Sequence, residues 1–537
     1  MGVATYDFII IGSGSAGGVL AGRLSACEKN KVLCLEAGTR GANYIWSYAP
    51  AGTAMMIDNP AVNWRYRSEP DSSIGDREIY VPRGKILGGS SSINATIYCR
   101  GQRADYDMWS QMGCRGWSYD DVLPFLKKLE STTIGDNHYR GRSGPIRVTE
   151  ADKISPLYDL FIDSCKAAGI PFNPDYSGAT QEGVAMAQQT VYRGFRQSTA
   201  TQYLAPARKR RNITIRTGAE ATALLLEGKR CVGVRFRCNG RTEEARAARE
   251  VIVCCGAANS PKLLELSGIG NPDILSEHGI KAIHDLRGVG SNLRDHYAAQ
   301  MKWQFNRPGI SLARKGRGWQ LILEVLRFAL FRTGFIAHGL GSMRVFVRSR
   351  PDLQEPDIMM GIAPYIIDVK SGESREMSTI DGFFMNTHVQ RPESTGSVHI
   401  RSANPFDPPK IKYRFLATPN DRAVAITAVR RAREIVACSP IAEIIATELA
   451  PGPQVENDEQ ILDYIRRTGN ITHHMTGTCR MGNDSMAVVD DRLRVRGIGG
   501  LRVADASIMP TLPSGNTSIP CMMIGEKCSE MVLAEAA

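Results

Sequence analysis

The chain has no Cys-x-x-Cys pair, no run of ~18 apolar residues and no long basic tract. Its thirteen cysteines are an odd number without paired spacing, and Cys254 and Cys255 are adjacent within an apolar run. A disulfide framework and a thiolate zinc site are therefore not expected, and reduced, mostly buried thiols fit best. Without an apolar run of spanning length, no transmembrane helix is expected. The chain opens directly on a strand, so no signal peptide is expected and a cytoplasmic location is. The longest basic cluster, Arg208-Lys209-Arg210-Arg211, has no interleaved aromatics. It reads as a solvated helix end, not a nucleic-acid contact. Internal repeats and low-complexity tracts are also missing.

What is present is ordinary in bulk. Hydrophobic residues make up 43%, charged residues 23% and aromatics 7% of the 537 residues. That length exceeds one hydrophobic core, so two or more domains are expected. The excess of 66 basic over 55 acidic residues, net +11, favours solubility and can steer an anionic partner.

The most informative unit is near the start. Tyr6 to Ile11 reads as a buried parallel strand, Gly12-Ser13-Gly14-Ser15-Ala16-Gly17 as a tight turn, and Val19 to Leu24 as a helix. Gly12 permits the turn, Gly14 lets the backbone approach a pyrophosphate, and Gly17 lets helix and strand pack closely. Ser15 and Ala16 lie in this turn, just before the helix, whose free N–H groups and positive dipole end suit phosphate. Val32 to Glu36 reads as the next strand. Its carboxylate, followed by Ala37, lies ~20 residues past the glycines, where it can accept from ribose hydroxyls. A glycine-rich turn without a ligand is the bland alternative. Taken alone the motif does not separate NAD from FAD.

Further along, Tyr119 to Leu129 reads as a helix started by Ser118, and Arg208 to Val234 as strands. Glu250 to Gly256 is a second buried-strand candidate. Ser397 to Ser402 alternates like a half-buried strand, and Asp421 to Ala437 reads as a helix. Leu321 to Ile336 is apolar but broken by Glu324, Arg327 and Arg332. It is expected to be a core helix of the second domain, with a membrane-surface helix as the alternative. Residues 487–537 return to strand and glycine-turn character, so the nucleotide domain is discontinuous with an insertion.

Two segments point past the dinucleotide motif. Pro82 to Ala95 gathers small residues and hydroxyls (Gly88, Gly89, Ser90, Asn94 and Ala95 among them), so that backbone can approach a flat ring system. Gly256 to Gly270 reads as a strand end, turn and helix. In this order they resemble the two signatures of the glucose–methanol–choline (GMC) oxidoreductases. Asp105-Tyr106-Asp107-Met108-Trp109, Gly116 to Tyr119, Gly288 to His296, Pro392 to Val398 and Leu501 to Thr517 also resemble family landmarks. Within that family the chain resembles the bacterial choline-dehydrogenase-like and sorbose-dehydrogenase-like branch. The resemblance implies an α/β plus α+β fold. A discontinuous Rossmann-like FAD-binding domain, 1–155, 206–300 and 466–537, would carry an inserted substrate domain on an antiparallel sheet, 156–205 and 301–465. The substrate-pocket walls are expected from residues 300–465, including Met359 to Tyr365.

The resemblance also assigns roles. The family's catalytic segment reads aromatic, His, Pro, variable, Gly, Thr, Cys. Here His473 replaces the aromatic and Met475 the proline, which puts His474 in the catalytic place. A neutral imidazole suits removal of a hydroxyl proton near neutral pH. Two adjacent histidines on a strand point to opposite faces, so one of them is expected to face the flavin. His473 is read as structural or pocket-lining. Without a cysteine or acid at ligand spacing, no metal is expected. Asn516 matches the second catalytic position; a plain turn residue after Gly515 is the alternative. Asp505 and Ala506 resemble positions contacting the FAD linkage, Thr517 one near the pyrimidine end of the flavin, and Ala221 one meeting the adenine. Ile93 stands where some members carry a histidine linked to FAD, so non-covalent FAD is expected.

The function this implies is oxidation of a small primary alcohol, polyol or aromatic alcohol, with electrons passed to a non-oxygen acceptor such as a quinone or redox protein. An oxidase making hydrogen peroxide is the alternative, and a non-redox FAD lyase a lesser one. The oligomeric state is left open.

Overall fold

A computed structural model describes residues 3–41, 44–339, 341–369 and 375–536. Two large sheets organise the chain. In the first, Ile213–Thr217, Val32–Glu36, Ala4–Ile11 and Arg241–Val253 lie side by side and parallel, and Leu501–Val503 pairs with the end of Arg241–Val253. Phe8–Ile11, Val32–Leu35 and Val251–Val253 are almost wholly buried. Continuous aliphatic runs of this kind are what a strand covered on both faces requires. Arg230–Cys238 and Ala219–Glu227 extend this sheet antiparallel.

Helix Ser15–Leu24 packs on this sheet, and its close approach depends on glycine. Gly12 has a φ of +97°, and a Cβ there would meet the Cys254 carbonyl oxygen at 2.4 Å. A Cβ on Gly17 would meet the Gly12 carbonyl oxygen at 2.0 Å. The C-terminal helix Ser518–Ala536 lies against this helix, and Arg23 pairs with Glu526 at 2.8 Å across their contact.

The second sheet is antiparallel. Its order is Ile445–Ala450, Tyr297–Phe305, Gly382–Val389, Ile358–Ala363, Met343–Val347 and Gly183–Met186, with Asn470–Ile471 paired to Tyr297–Phe305. Helices Leu157–Ala167 and Pro419–Val436 pack against it around Trp303 and Phe383, whose rings stack at 4.9 Å. The strand Tyr297–Phe305 runs through residue 300, where the sequence placed a domain boundary, and Asn470–Ile471 continues the sheet past residue 466.

Helix Tyr119–Leu129 starts at Ser118, whose hydroxyl exchanges bonds with Asp121. The helix expected at 421–437 spans Pro419–Val436. All thirteen cysteines are free thiols. Among the described residues no helix is long and apolar enough to cross a membrane.

One element differs from its expectation. The apolar stretch after residue 318 is a helix, Gly318–Phe331, but not a core helix: only Glu324 and Phe328 are buried. Trp319, Ile322, Leu323, Leu326, Leu330 and Phe331 are all at least half exposed. The helix is apolar on nearly every side, so burying one stripe leaves the rest in solvent.

Candidate active site

One cavity of about 390 Å³ runs from the glycine turn of the first sheet to the junction between the sheets. Gly12, Gly14, Ser15, Ala16, Glu36, Ala37 and Ala221 line one stretch of it. Gly89, Ser90, Asn94, Ala95, Gly256, Asp505 and Ala506 also line it, as do His474, Asn516 and Thr517. The structure thus brings together residues singled out from the sequence that lie up to 505 positions apart, Gly12 and Thr517. Gly17 and Gly88 do not line it; Gly17 serves helix–strand packing, and Gly88, with φ +85°, turns the loop and donates its N–H to the Ser13 hydroxyl.

The nucleotide-like end is built from backbone and small side chains. Gly14 caps the helix, and a Cβ built on it would enter open space, as would one on Gly256. Glu36 accepts from Ser13 N–H at 3.1 Å and Gly38 N–H at 2.8 Å, and burial raises its carboxyl above the usual range. Asp505 accepts from Gly256 N–H and Ser507 N–H, both at 2.8 Å. Its carboxylate therefore fixes the turn at Gly256. Cys254 and Cys255 line the cavity, but burial pushes both thiols far up, so neither is a thiolate nucleophile.

The loop Pro82–Ala95 is held from beneath. Arg196, 1% exposed, donates to the side-chain oxygen of Asn94 at 2.6 Å and to the Thr53 hydroxyl at 2.9 Å. It faces no carboxylate, and burial pushes it down to about 9. Nothing in the sequence singled it out, because Phe195-Arg196 sits in no recognisable motif.

The other end is a chain of imidazoles placed by sheet register. Tyr297 pairs with Ile471, so the residues just outside this pairing, His296 and Thr472, are neighbours, with Thr472 N–H donating to the His296 carbonyl at 3.0 Å. His474, two residues on, then meets His296: the two Nδ1 atoms are 2.8 Å apart. His296 Nε2 lies 2.7 Å from the Gln390 carbonyl oxygen, which can only accept. The His296 proton therefore sits on Nε2, and its Nδ1 accepts from His474 Nδ1–H, a hydrogen that Thr472 Oγ1 also approaches at 2.8 Å. His474 Nε2 is left as a lone pair. Asn516 Nδ2 donates to it at 2.9 Å. Gly515, φ +122°, presses on Cys99, where a Cβ would sit 2.3 Å from Sγ.

Both imidazoles are neutral. Burial lowers His296 to about 4. Burial first, then His296, His388, His473 and Arg83, hold His474 well below the ordinary histidine value. His388, stacked on His296 at 4.3 Å, is lowered in the same way. Behind them Asp295, raised to about 6 by burial, accepts the His474 backbone N–H at 2.7 Å. Arg83 donates to the His473 carbonyl at 2.8 Å and lies 3.8 Å from Asp295.

Two expectations are corrected here. His473 and His474 both line the cavity. The segment is not an extended strand: His473 has φ +70°, which breaks the alternation assumed for adjacent residues. Among the described residues of 300–465 only Pro405 lines the cavity, and none of Met359 to Tyr365 does. Ile358–Ala363 is an inner strand buried along its whole length. The lining comes instead from Thr53, Ile57, Trp64, Ile93, Ile97 and Thr472–Met475. His296 and Asp295 lay inside a segment noted as a family landmark, but no spacing rule tied them to His474. Among the described residues no group of three or more His, Cys, Asp or Glu could hold a metal.

A glycine-turn cavity that ends on a neutral, oriented imidazole defines a dinucleotide-dependent oxidoreductase, and the family is settled by comparison. GMC oxidoreductase family models match residues 6–298 and 392–525, and the chain belongs to that family. It is 39% identical over 98% of its length to an oxygen-dependent choline dehydrogenase of Brucella ovis, of which it covers 95%. A protein of the same description from Photobacterium profundum is 36% identical, with 98% of this chain and 93% of that one covered. Among solved structures, pyridoxine 4-oxidase from Mesorbium loti superposes with a TM-score of 0.89 at 29% identity, over 98% of this chain and 99% of that one.

Proposed function

We propose that this protein is an FAD-dependent oxidoreductase that converts a small neutral alcohol to a carbonyl, with His474 as base and Asn516 as its partner on the substrate oxygen. The observation that carries this reading is the fixed tautomer of His474, whose Nε2 lone pair faces the cavity beside Asn516. FAD suits the residues present, because Gly14 and Gly256 expose bare backbone to the cavity where a Cβ would intrude. Gly12, Gly14, Ser15, Ala16, Glu36, Ala37 and Ala221 would hold its adenosine and phosphate portion. Gly89, Ser90, Asn94, Ala95, Asp505, Ala506 and Thr517 would hold the flavin. Ile93 offers no atom for a covalent bond, in keeping with non-covalent binding. Bound FAD supplies an acceptor for hydride from the alcohol carbon.

The protein's own residues do the rest. The alcohol hydroxyl donates to His474 Nε2 in place of the Asn516 amide. Asn516 Nδ2–H then donates to the substrate oxygen, where negative charge develops. As the proton moves to Nε2, His474 Nδ1–H is held by His296, which keeps the ring from turning away. Burial of this end excludes water from the developing alkoxide.

The substrate class follows from charge. Beside His474 the described lining residues include Thr472, His473, Met475, Asn516 and the Arg83 cation; the lining carboxylates are Glu36, Glu220 and Asp505, of which Asp505 already accepts from Gly256 N–H and Ser507 N–H. A quaternary ammonium such as choline would meet the Arg83 cation beside His474. A primary alcohol, polyol or aromatic alcohol fits better. The decisive experiment is an anaerobic flavin-bleaching screen of neutral alcohols against choline. Bleaching by choline alone would reverse the substrate assignment, and bleaching by no alcohol would reverse the activity. The acceptor is proposed to be a quinone or redox protein. Oxygen is the second reading, favoured by the names of the relatives; peroxide formation under air matching dye-linked turnover would establish it.

A further inference from the structure

Helix Gly318–Phe331 exposes a continuous apolar surface that the described residues leave uncovered. Trp319 is 67% exposed, Ile322 62%, Leu330 72% and Phe331 70%. The surface continues onto the segment after residue 44. Trp46 and Ala51 share one cluster with Leu321 and Phe328, and Ile45 and Met55 of that segment are 70% and 56% exposed. An apolar face of this extent on a protein surface marks a docking site.

Its rim is basic. Between residues 314 and 332 there are five basic residues, Arg314, Lys315, Arg317, Arg327 and Arg332, and one acid, Glu324. Glu324 is buried and spends a carboxylate oxygen on Phe335 N–H at 2.7 Å. Arg332 lies over the Phe195 ring at 5.0 Å and Arg193 over Tyr192 at 5.2 Å. Arg314 lies 3.7 Å from the largely buried Asp381, and the exposed Asp152 lies 3.5 Å from His338 at the edge of this face.

We infer that this face docks on the surface of an anionic phospholipid bilayer. A helix of 14 residues is about 21 Å long, too short to span a hydrocarbon core of about 30 Å. It suits an in-plane position instead, with apolar side chains in the acyl boundary, Trp319 at the headgroup level and the arginines on lipid phosphates. A second copy of the chain is the poorer occupant. A two-fold pair would set one basic rim against the other, and like charges at an interface rim oppose association. Docking also gives the cavity a lipid-side approach, since Thr53 and Ile57 line it from the segment that carries Met55. A lipid-dissolved electron acceptor would then be close at hand.

The inference does not depend on the alcohol chemistry, so the two fail separately. The test is co-sedimentation of the FAD-loaded protein with vesicles of phosphatidylcholine plus phosphatidylglycerol, against phosphatidylcholine alone, at low salt. The wild type is expected in the pellet with anionic vesicles. Leu326→Glu/Leu330→Glu should bind at least ~10-fold more weakly with unchanged flavin absorbance and dye-linked turnover. Arg314→Gln/Arg317→Gln should lose roughly fivefold per charge on anionic vesicles only. Wild type that stays in the supernatant, or a glutamate variant that pellets equally, overturns the inference. So does sedimentation velocity without lipid that shows a dimer split by Leu326→Glu/Leu330→Glu, which would assign the face to a second copy.

Discussion

The two ends of the cavity are made differently. At the glycine end, recognition is shape: bare Cα atoms, helix N–H groups and the Glu36 carboxylate, which is already hydrogen-bonded. At the histidine end it is protonation state: neutral imidazoles whose tautomers are passed from Gln390 through His296 to His474. The first end tolerates little change of backbone. The second tolerates the fold being kept while the chemistry is lost. Substitutions should separate these two modes of failure.

The largest effect belongs to the histidine end. His474→Ala should slow flavin reduction by ~10³-fold or more while FAD stays bound. Rapid-mixing absorbance under anaerobic conditions measures both quantities, and a variant reduced at near-normal rate would remove His474 from the mechanism.

At the glycine end the contrast lies between neighbours. In Gly17→Ala the new Cβ would stand 2.0 Å from the Gly12 carbonyl oxygen, inside the turn itself, so the protein should lose about 3 kcal/mol or fail to fold. Gly14→Ala meets nothing within 4 Å and should fold normally. Its FAD affinity should fall ~10-fold, because the methyl occupies the space a phosphate approaches. Flavin content and urea midpoints of the two variants decide the matter; equal FAD affinity in Gly14→Ala would show that no phosphate comes close there.

A smaller effect tests the relay. His296→Leu removes the imidazole acceptor of His474 Nδ1–H and leaves only the Thr472 hydroxyl to hold it, so the tautomer with the proton on Nε2, the wrong nitrogen for a base, gains population. Reduction should slow by ~10- to 100-fold, chiefly in kcat, with the acid limb of the pH profile displaced. His296→Asn, which restores an acceptor near the same place, should recover most of the rate. An unmoved pH profile, or no recovery with Asn, would reduce His296 to packing.

How much of this was legible follows the same divide. The glycine end could be read because backbone geometry restricts residue type: only glycine tolerates Gly12's φ of +97° or the contact made by Gly17. His474 and Asn516 were placed by likeness to a family segment, and the structure sets them 2.9 Å apart. His296 stayed hidden because its partner is 178 residues away and meets it only through the register of Tyr297 with Ile471. The pocket walls were misplaced because periodicity shows that Ile358–Ala363 is buried but not which surface buries it. Helix Gly318–Phe331 was misread for the opposite reason: apolar content predicts burial only where another surface covers it.

The finest test concerns His388, which belongs to the imidazole group but has no hydrogen-bond partner on either ring nitrogen. If this end depends on the tautomer chain alone, His388 is dispensable to it. Burial, then His296 and Arg344, hold its pKa far below the usual value. Below about pH 6.5 the unfolded chain therefore takes up a proton here that the folded protein refuses, and stability falls as pH falls. Asp295, raised to about 6, works against this, because the folded state takes its proton first. His388→Leu removes one refused proton and one unsatisfied buried ring. It should raise stability at neutral pH by up to ~1 kcal/mol and flatten the acid limb by up to ~1.4 kcal/mol per pH unit. Urea denaturation between pH 7.5 and 5 reads both, as approximate bounds of the window set by the histidine value. A less stable variant with an unchanged acid slope would mean that His388 is hydrogen-bonded in solution and belongs to the working network after all.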